Sequence, residues 1–419
     1  GYDVYEAFGE IIAPLVQERP FFHSLTLEAG IRYSDYSVDA PGNPTYNTTT
    51  WKVGGSWEPV ESLKIRGNYS RAVRAPNISE LFTPQSVGLT NLGVDPCAGN
   101  APLANANLRA ICIAQGAPVG TISAITNPTA GQANITVSGS TNLQPETADT
   151  WTLGAVFQPE FLPGFSISVD YYNIKIVDVL NAAPPGDLIA ACFGNITAAS
   201  ATSTACTSIR RNPITGGLDG DPAITSGLFG PTTNQGRLAT DGVDVIANYN
   251  TDLGFADLGL AFVGNWTNSS TFQATDIGLD RECVGYYSPN CSFTGSIQPE
   301  FSTSLRTTLG FEDVDLSLLW RWIDGVSFEP QQIIDDGGDA ASVQPQFRTI
   351  PAEHYFDLTA RWNASDNFTF TFTVQNLLDN QPKVVGNTIG STSFNSGNTY
   401  PSTYDALGRR FGVAAKLTF

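Results

Sequence analysis

Along most of this chain, apolar and polar residues alternate with a period of two. Leu25, Leu27, Ala29, Ile31 and Tyr33 interleave with Ser24, Thr26, Glu28, Gly30, Arg32 and Ser34. Phe368, Phe370, Phe372 and Val374 oppose Thr369, Thr371, Thr373 and Gln375, while Val314, Leu316, Leu318, Trp320 and Trp322 oppose Asp315, Ser317 and Arg321. Successive side chains of a strand point to opposite faces, so each segment has one greasy face and one wet face. The pattern predicts about thirteen strands, near 4–16, 22–36, 47–58, 62–72, 147–158, 164–178, 236–252, 256–270, 298–311, 313–326, 352–364, 366–377 and 405–419. The last carries Phe411, Val413, Ala415, Leu417 and Phe419 on its apolar phase. Many are about 10 residues or longer, enough to cross a bilayer when tilted.

The connections alternate as well. Short polar turns such as Glu58-Pro59-Val60-Glu61 and Ser365-Asp366-Asn367 are followed by long segments at 73–146, 179–235, 271–297, 327–351 and 378–404. Strict short–long alternation is the topology of an outer-membrane barrel, with tight periplasmic turns and long outside loops. A soluble β-sandwich rarely carries loops this long. The expected fold is all-β, a transmembrane antiparallel β-barrel. No run of about 18 apolar residues suggests a membrane-crossing helix. Mean hydropathy is near zero, at -0.08, as it is when polar lumen residues offset lipid-facing ones.

Composition narrows the function classes. The net charge of -19 over 419 residues argues against nucleic acid as a partner. Six cysteines form three close couples, Cys97 and Cys112, Cys192 and Cys206, Cys283 and Cys291, each within one long loop. None has the CxxC spacing of a zinc site. Six cysteines allow 15 pairings, but placement in separate loops favours local disulfides, formed in an oxidising compartment. His23 and His354 are the only histidines, and no HExxH, GxSxG or P-loop is present. No enzyme activity, cofactor or metal is expected. The acidic stretch from Asp335 to Asp339 lacks the spacing of a calcium loop and reads as a solvated loop.

Candidate functional residues come from two places. Glu28, Arg32, Lys52, Lys64, Arg66, Asp170, Arg306, Asp315, Arg321, Arg361 and Lys416 all fall on the polar phase of their strands. An Arg or Lys on the lipid face near the midplane costs about 2–4 kcal/mol, so that phase is physically enforced. In the loops, Tyr286 and Tyr287 lie between Cys283 and Cys291, with Arg281 just before them. A disulfide would hold the rings at the tip of a tight loop, and these three residues are the candidate ligand contacts. Other loop aromatics, among them Phe193, Phe272, Phe328 and Tyr400, suit either ligand stacking or loop packing. Basic loop residues are sparse, among them Arg109, Arg210, Arg211, Arg237, Arg281 and Arg348. A neutral or weakly charged ligand, such as an oligosaccharide, fits that better than a strongly anionic ferric complex.

Four stretches resemble the TonB-dependent receptor family of Gram-negative outer membranes. They are Tyr69-Ser-Arg-Ala-Val-Arg-Ala-Pro-Asn-Ile-Ser-Glu-Leu-Phe82, Asn142-Leu-Gln-Pro-Glu146, Val374-Gln-Asn-Leu-Leu-Asp379 and Tyr404-Asp-Ala-Leu-Gly-Arg-Arg-Phe411. The resemblance implies a 22-stranded barrel, of which residues 1–419 would supply roughly the last thirteen strands. The plug domain and TonB box of that family are not recognisable here. The chain starts on Gly1 and holds no methionine, so it is expected to be the C-terminal part of a longer polypeptide. Arg32, Lys64, Arg66, Arg306, Arg321 and Arg361 would then face a plug, or pair across strands. The implied function is TonB-coupled uptake of a scarce nutrient, an oligosaccharide or siderophore-like ligand, across the outer membrane. The implied partners are the TonB complex, the lipid bilayer and lipopolysaccharide. Haem receptors of the family carry a histidine between the first two stretches; none lies between Tyr69 and Glu146, so haem is not expected. The alternatives are a passive porin-like channel, or a structural barrel subunit of a larger outer-membrane assembly.

Overall fold

The computed structural model describes residues 1–39, 42–275, 280–288, 291, 296–329, 344–385 and 399–418. Its backbone is an antiparallel meander of thirteen strands, each hydrogen-bonded to the next along the chain. They are β1 (Tyr2–Arg19), β2 (Phe22–Val38), β3 (Thr45–Val60), β4 (Leu63–Arg74), β5 (Glu146–Phe157), β6 (Phe165–Ala182) and β7 (Thr232–Asp252). After them come β8 (Asp257–Gln273), β9 (Phe301–Gly310), β10 (Val314–Ile323), β11 (Glu353–Ser365), β12 (Phe368–Gln375) and β13 (Arg410–Leu417). Every segment with period-two alternation is a strand. His23 is the second residue of β2. Phe419 and the acidic stretch 335–339 lie outside the described residues.

Register turns the alternation into rows that cross the sheet. One row runs Thr26, Ser56, Arg66, Gly154, Asp170, Asp244, Asn265 and Ser302. The neighbouring row runs Leu25, Trp57, Ile65, Ala155, Val169 and Val245. Because the side-chain period is two, a one-residue slip would exchange these faces, so burial in lipid on one side specifies the register. The apolar face exposes Leu153, Val169, Leu316, Leu318, Phe372 and Val413. Aromatic pairs border it: Phe22 with Trp57 near the short-turn rim, and Trp51 with Tyr69, Trp151 with Tyr171 and Phe301 with Trp322 toward the other. An apolar band between aromatic girdles is the lipid-facing surface of a membrane barrel. His354 belongs to the second girdle. Trp320 Nε1 donates to its Nδ1 at 3.1 Å, and the two rings stack.

One rim carries only short turns. The other carries the long loops, with one exception: β2 and β3 are joined through residues 39–44 alone. There the Val38 N–H donates to the Pro44 carbonyl, and Gly42 (φ 90°) takes the left-handed conformation that glycine tolerates. The wall holds few buried side chains. Most of the buried apolar residues form clusters inside the long loops. These loops fold into short helices, among them α1 (Ile78–Phe82), α2 (Ala106–Ala114) and α3 (Pro185–Phe193), and two small sheets.

Candidate functional site

The polar face is a lattice of cross-strand ion pairs. Arg66 donates two bonds to Asp170, from Nε at 2.8 Å and Nη2 at 2.7 Å. Gly154 sits between them in register, and a Cβ there would stand 1.9 Å from Asp170 Oδ1, so only glycine leaves room for this pair. Lys64 meets Glu58 at 3.1 Å, Arg32 meets Glu6 at 3.8 Å, Arg321 meets Asp357 at 3.3 Å and Arg361 meets Asp315 at 3.9 Å. Arg306 instead donates to Ser317 Oγ at 3.2 Å. It lines a recess of about 650 Å³ with Asn248, Asn250, Asp252 and Asp257 near the short-turn rim. Solvated pairs of this kind contribute about 0–1 kcal/mol each. Their effect is to keep the lumen wall polar and wet while each of these paired cations has a nearby carboxylate.

At the long-loop rim, separate parts of the sequence converge on two hubs. In the first, Arg74 donates from Nε to Glu146 at 2.7 Å and from Nη1 to Glu80 at 3.0 Å. Asn77 and Glu80 form the capping box that starts α1, satisfying backbone N–H groups the helix leaves open. Glu146 also accepts from the Leu180 N–H at 3.0 Å. The hub joins the ends of β4, β5 and β6. In the second, Asp379 accepts from the Arg409 N–H at 2.8 Å, and Arg410 donates to Asp405 at 2.8 Å and to Gln375 at 3.0 Å. Burial alone would raise the Asp405 carboxyl. The hydrogen bonds from Arg410 and the Leu407 N–H, with the charges of Arg410 and Arg321, outweigh it and hold its pKa below the ordinary value.

The long loops build two packed bodies. The first takes the connections 75–145 and 183–231. Strands Ser86–Asn91, Gln132–Val137 and Leu228–Phe229 share one sheet. Leu92, Ile111, Ile135, Ile189, Ile209, Leu218 and Leu228 form one core, and Phe193 and Ile196 bridge it to a second around Leu108, Ile122 and Ile125. Disulfides Cys97–Cys112 and Cys192–Cys206 staple it. Inside, Arg211 is wholly buried with Asp95 at 2.5 Å and Gln115 at 2.7 Å. The second body gathers Tyr287, Ile297, Val326, Ile350, Val385, Tyr400 and Tyr404, with disulfide Cys283–Cys291. Burial pushes the phenols of Tyr400 and Tyr404 well above the ordinary tyrosine value.

The three disulfides are therefore the three local couples. The six lumen cations share one face, and five of them pair with carboxylates across or along strands. Of the three loop candidates, Tyr286 is half-buried. Tyr287 is 0% exposed and edge-packed on Phe328 and Tyr400. Arg281 is buried in an ion pair with Asp187. Phe193, Phe328 and Tyr400 also pack in the loop cores, and Phe272 is buried near the end of β8. The buried pairs Asp95–Arg211 and Asp187–Arg281 carry no sequence signal, since their members stand 116 and 94 residues apart.

The fold and this arrangement define a membrane β-barrel wall with a charge-paired lumen and folded loops massed over one mouth. Over residues 16–377 the chain matches the family described as TonB dependent receptor-like, beta-barrel, and it belongs to that family. TonB-dependent receptors are outer-membrane proteins of Gram-negative bacteria. No curated protein matches the chain. Among solved structures it is similar to a mutant of the ferric enterobactin receptor PfeA from Pseudomonas aeruginosa, with TM-score 0.58 and 14% identity, covering 100% of this chain and 45% of that one. It is similar to the siderophore receptor PirA from Acinetobacter baumannii, with TM-score 0.59 and 15% identity, covering 100% and 46%. A third is the FrpB iron transporter from Neisseria meningitidis, with TM-score 0.55 and 13% identity, covering 100% and 45%. At these identities the likeness is one of fold, and the chain spans less than half the length of each of these three.

Proposed function

We propose that this chain is the C-terminal barrel wall and ligand-collecting face of an outer-membrane receptor that takes up a scarce nutrient by TonB-coupled transport. Its plug and TonB box would lie outside these residues, with the lumen cations Arg32, Lys64, Arg66, Arg306, Arg321 and Arg361 facing the plug. The ligand is neutral or weakly charged, an oligosaccharide rather than a strongly anionic ferric complex. One observation carries the ligand class: Arg211 and Arg281, two of the few loop cations, are buried against carboxylates. Little basic surface is left to attract a polyanion, and long-range steering of a charged ligand needs such a surface.

The test is uptake in cells whose only route is the full-length receptor. Labelled oligosaccharide should accumulate, and both a protonophore and loss of TonB should abolish accumulation. Uptake that survives both treatments would make the protein a passive channel. Uptake of ferric siderophores but no oligosaccharide would overturn the ligand class.

A further inference from the structure

The two loop bodies meet at a buried charge. Arg281 follows the end of β8, and the short strand Arg281–Glu282 pairs back onto Thr271 and Phe272. Its guanidinium is fully buried. On one side it pairs with Asp187, in the first turn of α3, which belongs to the first body. On the other side Glu329 lies 3.6 Å from Arg281 Nε and is itself 4% exposed. Glu329 accepts from Ser288 Oγ at 2.6 Å, and Ser288 Oγ accepts from the Cys291 N–H at 3.0 Å. Glu329 is thereby tied to the second body and Asp187 to the first.

Two features make this seam different from the cores beside it. Each body holds itself together by apolar packing, and a buried ionic contact joins one to the other. A buried ion pair has little net advantage over apolar packing, because desolvation offsets the attraction. Its members are, however, well solvated once apart. Furthermore, each charge stands beside a disulfide. Arg281 is two residues before Cys283, and Asp187 shares α3 with Cys192. Separation would therefore move two stapled bodies rather than unravel loops.

We propose that Arg281 is a positioning residue that latches the two outer-loop bodies together through its contact with Asp187 and Glu329. The latch deepens the receptor reading and rests on it for its purpose, but it is tested without ligand. Spin labels would be attached through a genetically encoded ketone amino acid at Ala110 and Ser327, both exposed, in the full-length receptor, leaving the cysteines untouched. The distance between the labels should form one narrow distribution in the parent protein. Arg281→Gln should add a second, longer population. Amide protection at Ile111 and Ile350, inside the two cores, should stay within about twofold. An unchanged distance distribution would overturn the latch. So would loss of protection in both cores, which would make Arg281 part of a single folding unit. Should Arg281→Gln not fold, the near-isosteric Asp187→Asn reads the same distance and is judged by the same two outcomes. A receptor that carries no nutrient leaves this result standing, and a seam that stays shut leaves the uptake result standing.

Discussion

Arg211 shows what a single residue contributes in loops that have no membrane to order them. Its guanidinium is wholly buried, with Asp95 and Gln115 as partners. Truncating one member of such a pair strands the other charge, at a cost of about 3–5 kcal/mol. Arg211→Met should therefore loosen the first loop body, read as faster amide exchange at Ile111 and Leu218, while the strands β9 to β12 keep their protection. Pairing it with Asp95→Leu should recover most of the loss, because no charge is then stranded. Asp405 gives a pH-dependent counterpart. Its folded pKa is lowered, so its contribution is fully present above the unfolded value, about 3.9, and is lost as pH falls through the folded pKa. Amide protection around Tyr404 to Arg410 should be flat from neutrality to about pH 5 and then fall below about pH 4. Asp405→Asn should remove that dependence. At this scale the sequence was informative where partners are near: the cysteine couples are 15, 14 and 8 residues apart. It read Arg281 and Tyr287 as ligand contacts and gave no sign that they are buried, because their burial depends on loops that meet only after the sheet has brought them together.

The strands were legible because lipid on one side and water on the other write a period of two into every element. The small elements of the loops obey no such environment. Ser86–Asn91 and Gln132–Val137 are strands, yet the core they cover comes from helices and loops far along the chain, so no local period marks them. For the same physical reason, adjacent residues of one strand should respond oppositely to a charge. On β10, Leu318 lies opposite Thr307 and Leu358 on the apolar face, and Leu319 lies opposite Arg306 and Asp357 on the polar face. Leu318→Lys near the middle of the strand should cost about 2–4 kcal/mol of barrel stability. Leu319→Lys, facing water and near Asp357, should change it by no more than about 1 kcal/mol. Reversible unfolding of the full-length barrel in denaturant distinguishes the two. Equal losses would mean that the register of β10 is wrong.

For the whole molecule, wall and loops are held by different means. The wall rests on a ladder of backbone hydrogen bonds and on lipid, and its side chains are mostly exposed to lipid or to the lumen. The loop bodies rest on small apolar cores, which alone supply little stability at such sizes. This is why staples matter there and not in the wall. Closing loops with separations of 15 and 14 residues removes unfolded-state entropy equivalent to about 3 kcal/mol each. Reduction should therefore open the first loop body and leave the barrel standing. After treatment with dithiothreitol, trypsin should cut after Arg109 and Arg210, both exposed, while the wall keeps the heat-modifiable electrophoretic mobility of a folded barrel. In the oxidised protein the same sites should resist, because α2 and the segment near Ile209 pack into one core. Collapse of the wall on reduction would show that the loops and the barrel form one cooperative unit, and the stapled bodies could not then move as the latch requires.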